Sequence, residues 1–144
     1  MISSTLNVET VASRLLDVYG IQSPPVPIEA ILQHPMPDMW EKVDLSAISG
    51  TFFAMDDPYR PRLAVARLLV RLLSSTEWGI RLGLAGITNS SEQVYHQARA
   101  ILAPRSWLAQ LPAASLTPPV IRTVYQLPLS EAMIRLQELG VDVN

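Results

Sequence analysis

Apolar residues recur at 8, 11, 12, 15, 16 and 18 in NVETVASRLLDVYG, the spacing of one face of a helix. Asn7 is placed to cap that helix and Gly20 to stop it. The stiff connector QSPPVP follows, and PIEAILQH then starts a short second helix with proline in its first turn. Over PMPDMWEKVDLSAISG the periodicity fades into loop with room for one short strand. GTFFAMDD is the best strand candidate, bounded by Gly50 and Pro58. YRPRLAVARLLVRLLSS reads as the central helix, and its nearly continuous apolar surface predicts burial. STEWGIRLGLAGITNSS, dotted with glycine, reads as a mobile excursion. SSEQVYHQARAILAP is another helix, capped by Ser90 or Ser91 and ended near Pro104, and RSWLAQL adds a turn or two. After LPAASLTPP come two helices joined at Pro128, PVIRTVYQL and LSEAMIRLQELG, the second running from Ser130 to Gly140. The pattern predicts one α-rich domain with a small β element.

Arg67 and Arg71 interrupt the central apolar run one helical turn apart, about 40° from each other around the axis. Two full charges on so apolar a helix need an account. Either they face a polar cleft, or they pair with carboxylates inside, or they lie on a solvated stripe and snorkel from the core edge.

Composition narrows the classes. The chain has 144 residues, enough for one domain with a real core, and is 49% hydrophobic and 17% charged, which argues against disorder. A net charge of −2 provides no basic field to recruit nucleic acid or anionic membrane. The absence of cysteine excludes disulfides, thiolate metal sites and a cysteine nucleophile. MISSTLNVET lacks the layout of a signal peptide, and no apolar run approaches a membrane span. A soluble, cytoplasmic protein is expected. His34 and His96 are the only histidines and belong to no ligand pattern, while Trp40, Trp78 and Trp107 read as packing residues, with Trp78 alternatively an exposed contact.

Read in order, the segments resemble the ImmA/IrrE family of zinc metallopeptidases. PVPIEAILQH is similar to the family's opening P-V-x-x-E-A-I, and RLAVARLLVRLL lies where the family writes R-F-T-x-A-H-E-x-x-H-x-L-L. SEQVYHQARAILAP is similar to E-x-E-A-N-x-F-A-A-x-L-L-M-P, and VYQLPLSEAMIRLQELGV to the closing L-A-x-x-F-x-V-S-x-x-A-x-x-x-R-L-x-x-L-G. The resemblance implies an α+β, mainly helical zincin-like domain with a reduced β-sheet over the whole chain. It implies a metallopeptidase-like core over about residues 1–112 and a helical pair over about 117–140.

The departures from the family decide the expected chemistry. The first metal-binding histidine falls at Arg67, the general-base glutamate at Leu68, the second histidine at Arg71, and the later glutamate ligand at Ser91. A guanidinium stays protonated and offers no acceptor, and leucine cannot abstract a proton. No metal, no cofactor and no peptidase activity are therefore expected at these vestigial positions. The arginines would stand in for the charge of the metal, with Glu92 as the best carboxylate partner and Glu77 and Asp44 as others. The resemblance further implies a helix-turn-helix repressor as protein partner, and the abundant leucine leaves room for a homodimer. Two alternatives stay open: an active hydrolase with unrecognised ligands, and a DNA-binding regulator acting through the C-terminal helix pair. In that pair Arg122 and Arg135 are nearly the only bases and are offset by Glu131 and Glu138, so nucleic acid is disfavoured.

Overall fold

The computed structural model describes residues 7–40 and 58–142. Among these described residues eight α-helices run in order, α1 (Val8–Val18), α2 (Ile28–Gln33), α3 (Arg60–Leu73), α4 (Glu77–Arg81), α5 (Ser91–Leu102), α6 (Arg105–Leu108), α7 (Pro118–Tyr125) and α8 (Leu129–Glu138). Single 3-10 turns lie at Ile87–Asn89 and Ala113–Ser115.

Local chemistry sets the boundaries. Asn7 Oδ1 accepts from the Thr10 N–H at 3.0 Å and so caps α1. Ser90, not Ser91, caps α5, its hydroxyl accepting from the Gln93 N–H at 3.3 Å. Pro61 and Pro118 occupy first-turn positions of α3 and α7, where a missing N–H costs nothing. α1 buries Val11, Ala12, Leu15 and Leu16 on one stripe, and α3 buries Leu63, Val65, Ala66, Leu69, Val70 and Leu73. These residues and those of α2, α5, α7 and α8 share one core.

The α+β expectation is corrected: among the described residues every regular element is helical and no strand occurs. The physical reason lies in the partners of each apolar stripe. α5 packs against α1, α3 and α8, α2 packs on α3, and α7 pairs with α8, so helices supply every wall of the described core. The strand candidate at residues 50–56 lies outside the described residues, as does Asp44.

The central helix also differs from expectation. α3 is amphipathic rather than buried all round, with Arg60 and Arg71 exposed and Ala64, Arg67, Leu68 and Leu72 half-buried. The stretch buried all round is instead the second half of α5, without a break from Gln97 through its end, while its first turn is exposed. The glycine-dotted stretch after α3 is ordered into α4 and the following 3-10 turn. Thr76 Oγ1 accepts from the Gly79 N–H at 3.0 Å, and Leu84 is fully buried. Among the described residues no helix is long and apolar enough to cross a membrane.

Candidate functional site

A cleft of about 710 Å³ opens between α3, α5 and α8. α3 contributes Arg60, Leu63, Ala64 and Arg67, α5 contributes Ser91, Glu92, Tyr95, His96 and Arg99, and α8 contributes Glu131, Ile134 and Glu138. The α3 spacing of 60, 63, 64 and 67 is one helical face, and 91, 92, 95, 96 and 99 repeat it on α5. Two amphipathic helices thus turn their mixed polar and apolar faces toward each other, with α8 closing the space.

The floor of the cleft is a network of ion pairs. Arg99 Nη1 donates to Glu131 Oε1 at 2.7 Å, while its Nη2 and Nε donate to Glu138 Oε2 at 2.7 and 3.2 Å. Fully buried Arg135 continues the network behind it. Its Nη1 and Nη2 form a fork onto Glu9 at 2.9 and 2.6 Å, and its Nε donates to the Ala103 carbonyl at 2.9 Å. Glu138 Oε1 lies 3.6 Å from Arg135 Nη1, so this carboxylate stands between the two arginines. The network ties α1, α5 and α8 through charges that could not stay buried unpaired.

Proton affinities follow from these contacts. Burial pulls the Glu9 pKa up, but the hydrogen bond and charge of Arg135, helped by Arg105 and His96, outweigh it and hold the carboxyl below its ordinary value. Burial likewise works against the Arg99 cation, and the hydrogen bonds and charges of Glu138 and Glu131 overcome it and raise its pKa.

Arg67 is different. Its guanidinium carbon sits 4.2 Å from the centre of the Tyr95 ring, a cation–π contact. Its Nε is buried without a hydrogen-bond partner, and among the described residues no carboxylate forms an ion pair with it. Thus the cleft holds one arginine saturated by two carboxylates and another braced only by an aromatic face.

The structure brings together Arg67, Ser91 and Glu92, and leaves Leu68 and Arg71 out of the cleft. The expected pairing of Arg67 with Glu92 is replaced by the stack on Tyr95, because Glu92 lies at the exposed first turn of α5. Glu77 is exposed in the first turn of α4, away from the cleft. Arg71, one turn beyond Arg67, is also exposed. Arg71→Leu is therefore expected to leave the midpoint of urea unfolding, followed by tryptophan fluorescence, unchanged.

His96, expected as a lone residue, lies in the cleft with its Nε2 3.7 Å from Glu138 Oε2. His34 is exposed, its Nδ1 2.8 Å from the Ala30 carbonyl. Among the described residues no three His, Asp or Glu side chains come together as a metal-holding group. Trp40 donates from its indole to the Leu32 carbonyl at 2.9 Å, Trp107 stacks on Tyr125 and Trp78 packs against the core, so all three are packing residues.

Sequence reasoning missed Arg99 and Arg135 as the arginines that organise the interior. A signal was present for each. Arg99 interrupts the apolar run ARAIL, and Arg135 falls four residues after Glu131 and three before Glu138 on one helix. Glu9, the main partner of Arg135, is 126 positions away and carried no local signal.

Compared with family models, curated proteins and solved structures, the chain matches none.

Proposed function

We propose that this chain is a non-catalytic binding protein that holds a partner protein in the α3–α5–α8 cleft without cutting it. The observation that carries the reading is Arg67, a cation braced on Tyr95 and unpaired within the cleft, at the position that the resemblance to the ImmA/IrrE family aligns with a metal-binding histidine. Arginine gives that position a permanent positive charge and removes the acceptor lone pair that coordination requires. The neighbouring position holds Leu68, which offers no base to activate water. The partner class, a helix-turn-helix repressor, is what the resemblance of the sequence segments to the ImmA/IrrE family implies.

Two specific observations weigh against action on DNA through α7 and α8. Arg135 is buried and held by Glu9, and Arg122 lies 4.8 Å over the Tyr59 ring, so neither base stands ready for a phosphate.

The test mixes the purified protein with the helix-turn-helix repressor encoded nearest to it and follows both by gel filtration. The expected result is co-migration of two intact chains, lost in Arg67→Glu. Separate migration, or zinc-dependent cleavage of the repressor, would overturn the reading.

A further inference from the structure

We propose that the cleft contains a carboxylate-binding subsite centred on Arg67, which takes a peptide carboxylate that lies beside an apolar side chain. The inference rests on the reading of the cleft as a partner-binding site and adds the chemistry that the site selects.

The donor comes first. Arg99 lines the same cleft, but Glu131 and Glu138 occupy its guanidinium. Arg67 meets only the Tyr95 ring, 4.2 Å from its guanidinium carbon, and no described carboxylate. A guanidinium held against an aromatic face keeps N–H donors at its edge, in the fork that matches a carboxylate. The stack also fixes the side chain before a ligand arrives, which lowers the entropy lost on binding.

Charge then selects the ligand. The cleft's three arginines and three glutamates balance overall, but Glu131 and Glu138 are both spent on Arg99. Around Arg67 the local charges are therefore Arg60 and Arg67 against Glu92, a local surplus of one positive charge. The first turn of the twelve-residue α5, with Ser91 and Glu92 at the cleft, adds the positive end of a helix dipole. A single negative charge balances this surplus. A phosphate dianion brings a second one, which meets Glu92 on one side and the carboxylates bonded to Arg99 on the other. Leu63, Ala64 and Ile134 line the cleft as well, so the group that carries the carboxylate meets an apolar wall.

The carboxylate has two sources, an acidic side chain within a partner and a chain terminus. Three capped peptides and one with a free end separate them: Ac-Leu-Glu-Leu-NH2, Ac-Leu-Gln-Leu-NH2, Ac-Leu-pSer-Leu-NH2 and Ac-Ala-Leu-OH. Each is titrated into the 13C,15N-labelled full chain while the Arg67 Nε–H and Tyr95 ring C–H signals are recorded by NMR. Saturable shifts at both residues are expected with the glutamate peptide, the free-terminus peptide, or both, and these identify the source. The glutamine and phosphoserine peptides are expected to bind at least about tenfold more weakly, the loss of roughly 1.4 kcal/mol from one charge-assisted contact. Arg67→Met should abolish the effect with the fold retained, as judged by an unchanged amide spectrum away from the cleft. Glu92→Gln should narrow the gap between glutamate and phosphoserine peptides.

No saturable shift with either carboxylate peptide overturns the inference, as does equal binding of the glutamine peptide or tighter binding of phosphoserine. If the repressor complex forms and the carboxylate peptides do not bind, this subsite alone fails. If the peptides bind through Arg67 and the repressor does not, the subsite stands and the partner class falls.

Discussion

Arg135→Met is expected to lower the free energy of unfolding by about 3–5 kcal/mol, the cost of breaking a buried ion pair from one side. The residue is fully buried and its three donating nitrogens serve Glu9 and the Ala103 carbonyl. Methionine fills much of the space, yet it leaves the Ala103 carbonyl unpaired and Glu9 and Glu138 without their common cation. Urea unfolding measures the loss. Adding Glu9→Met to Arg135→Met should recover part of it, since removing both charges is cheaper than stranding one. A loss no larger than that of a surface substitution, about 0.5 kcal/mol, would show that the network does not hold α1 to α8.

The same pair sets an acid dependence. Glu9 has a lower pKa in the folded protein than its ordinary value near 4.5. A group with a depressed folded value stabilises the protein above its unfolded pKa, and that contribution is lost as pH falls through the folded pKa. Stability should therefore decline below about pH 4.5, and Glu9→Gln should flatten this decline while lowering stability at neutral pH.

Gly79→Ala is the second large effect. A methyl group there would fall 1.9 Å from the Leu73 carbonyl oxygen and 2.7 Å from its carbon, backbone atoms that end α3. That oxygen accepts from the Thr76 N–H at 3.1 Å and from the Thr76 hydroxyl at 2.7 Å, so it cannot move without undoing the turn into α4. A loss on the order of 3 kcal/mol, or roughly 10 °C in melting temperature, is expected by calorimetry. Gly140→Ala is the control. Nothing lies within 4 Å of its added methyl, and only the positive φ of 78° opposes alanine, at a cost of about 1–2 kcal/mol. Equal effects at the two positions would contradict the close approach of α4 to the end of α3.

These two positions show what the sequence reveals and what it conceals. Helices with a cap and a clean stripe, such as α1 behind Asn7 and α5 behind Ser90, were legible because their causes are local. The α3 pattern misled. Its apolar run reads as buried all round, but Arg60, Ala64 and Arg67 share a face that meets a cleft rather than a helix. Gly79 reads as a loop glycine, since nothing in the sequence places it against the backbone of Leu73.

The site divided in the same way. Helical spacing joins Arg67 to Arg71, yet the cleft reaches Arg67 alone. The resemblance to a peptidase motif paired position 67 with position 91, and Arg67 and Ser91 do line one cleft. The carboxylate partners of Arg99 lie 32 and 39 positions away, and such pairing depends on how helices pack. Its sequence trace was a charge in an apolar run, which states that a partner exists without naming it.

Zinc analysis of the purified protein bears most directly on the claim that arginine has taken the place of metal chemistry in the α3–α5–α8 cleft. The protein is dialysed against zinc, washed, and measured by atomic emission together with its action on the helix-turn-helix repressor proposed as its partner. The account predicts no stoichiometric zinc and an uncut repressor. One zinc ion per chain, removed by a chelator together with a cleavage activity, would contradict it.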